Sequence, residues 1–238
     1  MVRKDLGGES MNDFFTNQVS HGPNLTMLDR MSLFLILCVL LYVARKFYAK
    51  SWFKKVFWFI LCLQIVSLYS WYIWSDWSLS ESLPFYHCRL AILFLLFARK
   101  GDLKLYFSYL GLIGSLVAFI YPVFDPFPFP HLTFFTFVVG HYALAVLCLS
   151  YILTEGHQFS LSRRERLSLT VMLHLVMLFV NWLTKGNYGY LTRLPIVNSQ
   201  VILFNFVLLT LVISFFIGSV QVGFQLYWKK KSVYLFQD

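Results

Sequence analysis

Histidine, cysteine and arginine stand side by side in SLPFYHCRL (Ser82–Leu90), at the head of the apolar run LAILFLLF. A cysteine attacks as its thiolate, and a thiol buried in apolar surroundings is inert unless a base stands within hydrogen-bond reach. Cys88 is therefore the candidate nucleophile, and His141, in VVGHYALAV, is the candidate base. His87 and Arg89 are candidate substrate-binding residues, since a guanidinium placed there suits a carboxylate, a carbonyl or a phosphate. Asp125 is a candidate partner for Arg89. Each candidate has a structural alternative. Cys88 could be a packed thiol, His141 could donate to a carbonyl, and His174, in MLHLVM, could be a hydrogen-bonder inside the bundle. Zinc is a competing use of these histidines. Adjacent residues on a helix point about 100° apart, so His87 and Cys88 make a poor pair of ligands, and no metal or cofactor is expected.

The elements that must position these groups are membrane helices. With 58% apolar and 13% charged residues, against roughly a quarter charged in soluble domains, the chain reads as an integral membrane protein. Seven stretches approach the roughly 17–25 apolar residues of a spanning helix: Met27–Ala44, Lys55–Trp74, Pro84–Phe97, Leu103–Tyr121, His131–Leu153, Arg166–Leu183 and Gln200–Tyr227. They are continuously apolar, without the period-two alternation of barrel strands. The expected fold is an all-α bundle of seven helices, or of six with a short or re-entrant third. A polar tail (1–26), one membrane domain (27–228) and a basic tail (229–238) make up the expected organisation.

Orientation follows from lysine and arginine, which favour cytoplasmic loops. Arg45, Lys46, Lys50, Lys54, Lys55, Arg99, Lys100, Lys104, Arg163, Arg164, Arg166 and Lys229 to Lys231 fall on one face; Asp76, Glu81 and Asp125, with Lys185 and Arg193, fall on the other. The N-terminus is expected outside and the C-terminus in the cytoplasm. The net charge of +9 sits in short clusters at helix ends, which suit anionic lipid headgroups and do not resemble a nucleic-acid footprint. Cys38, Cys62 and Cys148 have apolar neighbours and read as small core or lipid-facing residues.

Within this frame Cys88 lies roughly 16 Å above the inner edge of its span and His141 roughly 19 Å above the inner edge of its own, at 1.5 Å per residue. The two depths agree, so the sequence allows them to meet. Pro84 suits the first turn of the third helix, whose unpaired N–H groups and dipole would favour a thiolate or a lipid phosphate. The Pro- and Phe-rich segment Tyr121–Phe135 reads as an interfacial anchor. NWLTKGNYGYL adds Asn181, Asn187 and Tyr188 as candidate substrate-binding residues in a polar outer half.

LPFYHCRLAI, FFTFVVGHYAL and NWLTKGNYGYL resemble three blocks of the YwaF-like bacterial membrane proteins, relatives of the eukaryotic transmembrane-protein-164 family. That resemblance implies a cysteine-dependent acyltransferase or transacylase acting on membrane phospholipids and lysophospholipids, with Cys88 as acyl acceptor and His141 as base. Two other functions share the same topology: a small-molecule or lipid transporter or scramblase, and a non-enzymatic scaffold. The oligomeric state is not legible in the sequence.

Overall fold

The computed structural model describes residues 14–75 and 77–235, with side chains to Lys230. The first 13 residues of the polar tail, Asp76, the Lys231 side chain and residues 236–238 lie outside the described part. Among the described residues the structure is helical: α1 (Met27–Phe47), α2 (Ser51–Ser75), α3 (His87–Phe97), α4 (Asp102–Ile120), α5 (Leu132–Glu155), α6 (Arg163–Thr184) and α7 (Ile202–Leu235). Six of these are long and apolar enough to cross a membrane, and α3 is the shorter apolar seventh. The chain is a multi-pass integral membrane protein.

Local signals set the helix ends. Thr26 and Asp29 form a capping box at the start of α1, and Ser162 and Glu165 form another at the start of α6. Each satisfies two backbone donors that the first turn leaves free. α6 stops at Lys185, which takes the left-handed conformation at φ 60°. His131 caps α5: its Nδ1 accepts from the Thr133 N–H, while its Nε2 meets the Thr16 carbonyl at 3.0 Å. The tail before α1 is thereby pinned to the Pro-rich loop between α4 and α5, where Ser20 N–H also donates to Pro126 O. At the other end α7 runs on through the expected basic tail as far as Leu235.

α5 is the centre of the bundle and packs against α1, α2, α3 and α4. α6 pairs with α7, and α7 returns to the rest through α4. About half of α4 and α5 is buried within the protein, whereas α1 and α7 turn most of their apolar surface outward. That is the distribution expected where lipid, not water, is the solvent. Leu105, Tyr106, Tyr109, Leu144 and Ile152 are among the fully buried side chains of this centre.

The third span departs from the sequence expectation at its start. Helix begins at His87, not at Pro84, because Tyr86 is extended (φ −77°, ψ 144°) and its ring packs on Tyr188 at 5.1 Å. Eleven residues rise about 16 Å, half of the roughly 30 Å hydrocarbon core. The rest of the path is irregular chain through residues 77–86, whose polar groups need partners inside the protein. Tyr188 supplies two, donating to Leu79 O (2.8 Å) and accepting from Leu83 N–H (3.0 Å).

Candidate active site

Cys88 is the second residue of α3, and Tyr86, the N-cap, gives the helix no side-chain hydrogen bond. The first backbone bond into the helix is Leu90 N–H to Tyr86 O. Among the described residues, the N–H groups of His87, Cys88 and Arg89 make no backbone hydrogen bond. They are the orphan donors of a helix start. The thiol itself lies on a bare patch of α4: a Cβ on Gly114 would stand 2.7 Å from Cys88 Sγ. One turn away a Cβ on Gly111 would meet Cys148 Sγ at 2.8 Å and the Ala91 Cβ at 3.1 Å. Two glycines three apart thus let α3 and α5 bring their thiols against the α4 backbone.

His141 lies on α5 among Phe137 and Phe119, with ring centroids at 4.3 and 6.2 Å. Its Nδ1 is 2.7 Å from the Phe137 carbonyl. A carbonyl only accepts, so Nδ1 carries the proton and Nε2 of the neutral ring presents a lone pair. Cys88 and His141 form no hydrogen bond with one another among the described contacts. They share a neighbour, since Arg89 is within electrostatic reach of both. Beside His141, Gln64 lies across Gly140, where a Cβ would stand 2.9 Å from the amide carbon, and its buried Oε1 has no partner among the described residues.

Arg89 meets carbonyls and phenols. Nη1 donates to Glu81 O at 2.9 Å, Nη2 donates to Tyr72 OH at 2.6 Å, and the guanidinium lies over the rings of Tyr72 and Tyr86. Tyr72 OH in turn donates to Asp125 Oδ2 at 3.4 Å, so the expected Arg89–Asp125 partnership runs through a tyrosine. Arg89 thus supports the irregular chain before α3 as well as facing the site.

The candidates around the loop between α6 and α7 hold that loop together. Asn181 donates to Tyr188 O (2.9 Å) and accepts from Tyr188 N–H (2.7 Å), pairing both backbone groups of that residue. Asn187 accepts from Thr192 and Arg193 N–H and donates to Arg193 O. Tyr188 is fully buried with its hydroxyl engaged as above. Tyr190, held at the unusual φ of 58° for a non-glycine, brings its ring to 5.9 Å from that of Tyr86, the N-cap of α3. Its phenol is pushed up to about 12, chiefly by burial, then by the Cys88 thiol and Asp125.

His87 points away from the thiol. Its Nε2 is 2.9 Å from His174 Nε2 on α6, and His174 Nδ1 is 2.8 Å from Thr210 Oγ1 on α7. The sequence offers His174 as a structural hydrogen-bonder without indicating either of its partners, and it does not set Tyr190, Tyr72, Gly114 or Thr210 apart from their neighbours. The small-residue spacing of Gly111 and Gly114 was the one signal in the sequence that could have pointed to the close face.

A family model described as the TMEM164 family matches residues 14–224. No curated protein and no solved structure matches the chain.

Proposed function

The chain belongs to the TMEM164 family, and from that premise we propose that it is a membrane-embedded phospholipid and lysophospholipid acyltransferase, a transacylase that carries the acyl chain on Cys88. His141 Nε2 takes the thiol proton as sulfur attacks the donor ester carbonyl. The tetrahedral oxyanion collapses, a thioester forms, and the departing lysolipid alkoxide receives the proton from His141. An acceptor lysolipid hydroxyl then attacks the thioester, His141 removes its proton, and the thiol is regained as the new ester leaves. Every proton taken is returned, and neither metal nor cofactor enters.

The observation that carries this reading is the first turn of α3. A thiol stands where three backbone N–H groups have no helical partner, which is the arrangement that stabilises an oxyanion. His141 supports it by presenting an acceptor nitrogen, and catalytic hydrogen bonds commonly tighten only with substrate in place. His87, Arg89 and Tyr190 border the turn. Asn181, Asn187 and Tyr188 act on substrate through the loop that they brace. With the basic clusters cytoplasmic, the head of α3 faces the outer leaflet, and a phospholipid is then the accessible donor.

The test is intact-protein mass spectrometry after incubation with defined phospholipids, wild type against Cys88→Ala and His141→Ala. A fatty-acyl adduct mapped to Cys88 and discharged by lysolipid is the expected result. Unchanged lysolipid consumption in a well-inserted Cys88→Ala protein would overturn the proposal.

A further inference from the structure

The turn that carries Cys88 is weakly secured by its own helix. α3 has 11 residues and no side-chain N-cap, and an isolated helix of that length is marginal. It packs chiefly on α4 and α5, so its first turn is reached from α6 and α7 through polar contacts.

Two polar rungs cross from α6 to α7. In one, His174 bridges His87 and Thr210, at 2.9 and 2.8 Å. In the other, Thr170 receives Ser214 Oγ at 3.1 Å and meets Tyr106 OH at 2.9 Å. Thr170 and His174 are four residues apart on α6, as Thr210 and Ser214 are on α7, so the rungs stack on successive turns. The first ends on α3, one residue from Cys88; the second ends on α4. From the other side Gly189 closes on the same imidazole, since a Cβ there would stand 3.2 Å from His87 Cε1. The His87 ring is thus gripped between a loop backbone and the first rung.

We propose that His174 and Thr210 are positioning residues for Cys88, acting through His87. Its consequence for catalysis rests on Cys88 being the acyl-accepting nucleophile. A neutral imidazole has one donor and one acceptor nitrogen, so the string can be written with its hydrogens running from Thr210 to His87 or in reverse. Either way each bond is kept without a charge, as a membrane interior favours. What the string fixes is geometry: the backbone N–H groups of residues 87–89 and the thiol beside them. Displacement of a reacting group by about an ångström can cost two orders of magnitude in rate.

The experiment compares wild type, His174→Phe, His174→Gln and Thr170→Val in the full-length protein, with Cys38, Cys62 and Cys148 replaced by alanine. Phenylalanine keeps a ring and removes both bonds. Glutamine retains a donor for His87 and an acceptor for Thr210 without a titrating nitrogen. Thr170→Val breaks the second rung and leaves α3 alone. Two quantities are read: steady-state acyl transfer to lysolipid, and the rate at which iodoacetamide alkylates Cys88. His174→Phe is expected to lower kcat about tenfold or more with KM little changed, and to shift the alkylation rate. His174→Gln is expected to restore both, and Thr170→Val to lower thermal stability with kcat retained. If His174→Phe matches wild type in both readouts, or His174→Gln is no better than His174→Phe, the inference fails. If no protein transfers acyl chains but the alkylation pattern holds, the positioning role stands and the acyl-transfer reading falls.

Discussion

At the scale of single residues, the site depends on an absence of atoms. Gly114 gives Cys88 Sγ a seat that any Cβ would invade at 2.7 Å, closer than such contacts tolerate. Gly114→Ala must therefore push the sulfur or part α3 from α4. Overpacking of this kind costs about 1–3 kcal/mol, and the atom that moves is the one proposed to react. We expect Gly114→Ala to lose acyl transfer far out of proportion to any fall in melting temperature, measured on the same preparation. Full activity with an unchanged melting temperature would mean that the thiol can turn aside freely. His141 makes the complementary point. Its Nδ1 contact with Phe137 O chooses which ring nitrogen is open, so a single backbone carbonyl determines what the imidazole can accept.

Among the elements, the informative one is the half-length α3 with the irregular chain before it. Tyr86 is extended where the helix could have begun earlier, and Tyr188, from a loop more than a hundred residues away, supplies hydrogen bonds to residues 79 and 83. Removing that hydroxyl leaves a carbonyl and an N–H without it, and a buried group left unsatisfied costs about 1–3 kcal/mol. Tyr188→Phe should lower the unfolding midpoint by a corresponding amount, and hydrogen exchange should locate the loosening at residues 77–86. Protection lost only around Tyr188 itself would contradict the bracing role. The sequence carried much of this architecture: apolar runs located every helix, and Pro84 with its neighbours marked the third as short. The start of α3 at His87 was not legible, because it is decided by a tyrosine in another loop. Cys88 and His141 stood out as chemistry-bearing residues in greasy segments. The depth argument could not show that His87 faces His174, since which helices are neighbours is a property of packing and leaves no mark in local pattern.

For the whole molecule, the open question of orientation has a direct measure. Arg99 and Ile196 are exposed in links at opposite ends of the bundle, and the lysine and arginine distribution puts Arg99 in the cytoplasm. A membrane-impermeant maleimide should label Ile196→Cys in intact cells and Arg99→Cys only after permeabilisation. The reverse pattern would turn the head of α3 toward the cytoplasm and with it the choice of acyl donor. The order of the helices in the chain also bears on how the protein is made. The Leu83 N–H finds its partner 105 residues later and His87 finds its own 87 residues later, both beyond the central α5. When α3 is synthesised, Arg89 already has Tyr72 and Glu81 in the nascent chain, whereas the partners of His87 and of the Leu83 N–H are made only with α6 and the loop after it. The turn that carries Cys88 is thus completed late in biosynthesis: a chain cut short before α6 has α4 against the thiol but lacks the imidazole and the tyrosine that hold the residues around it.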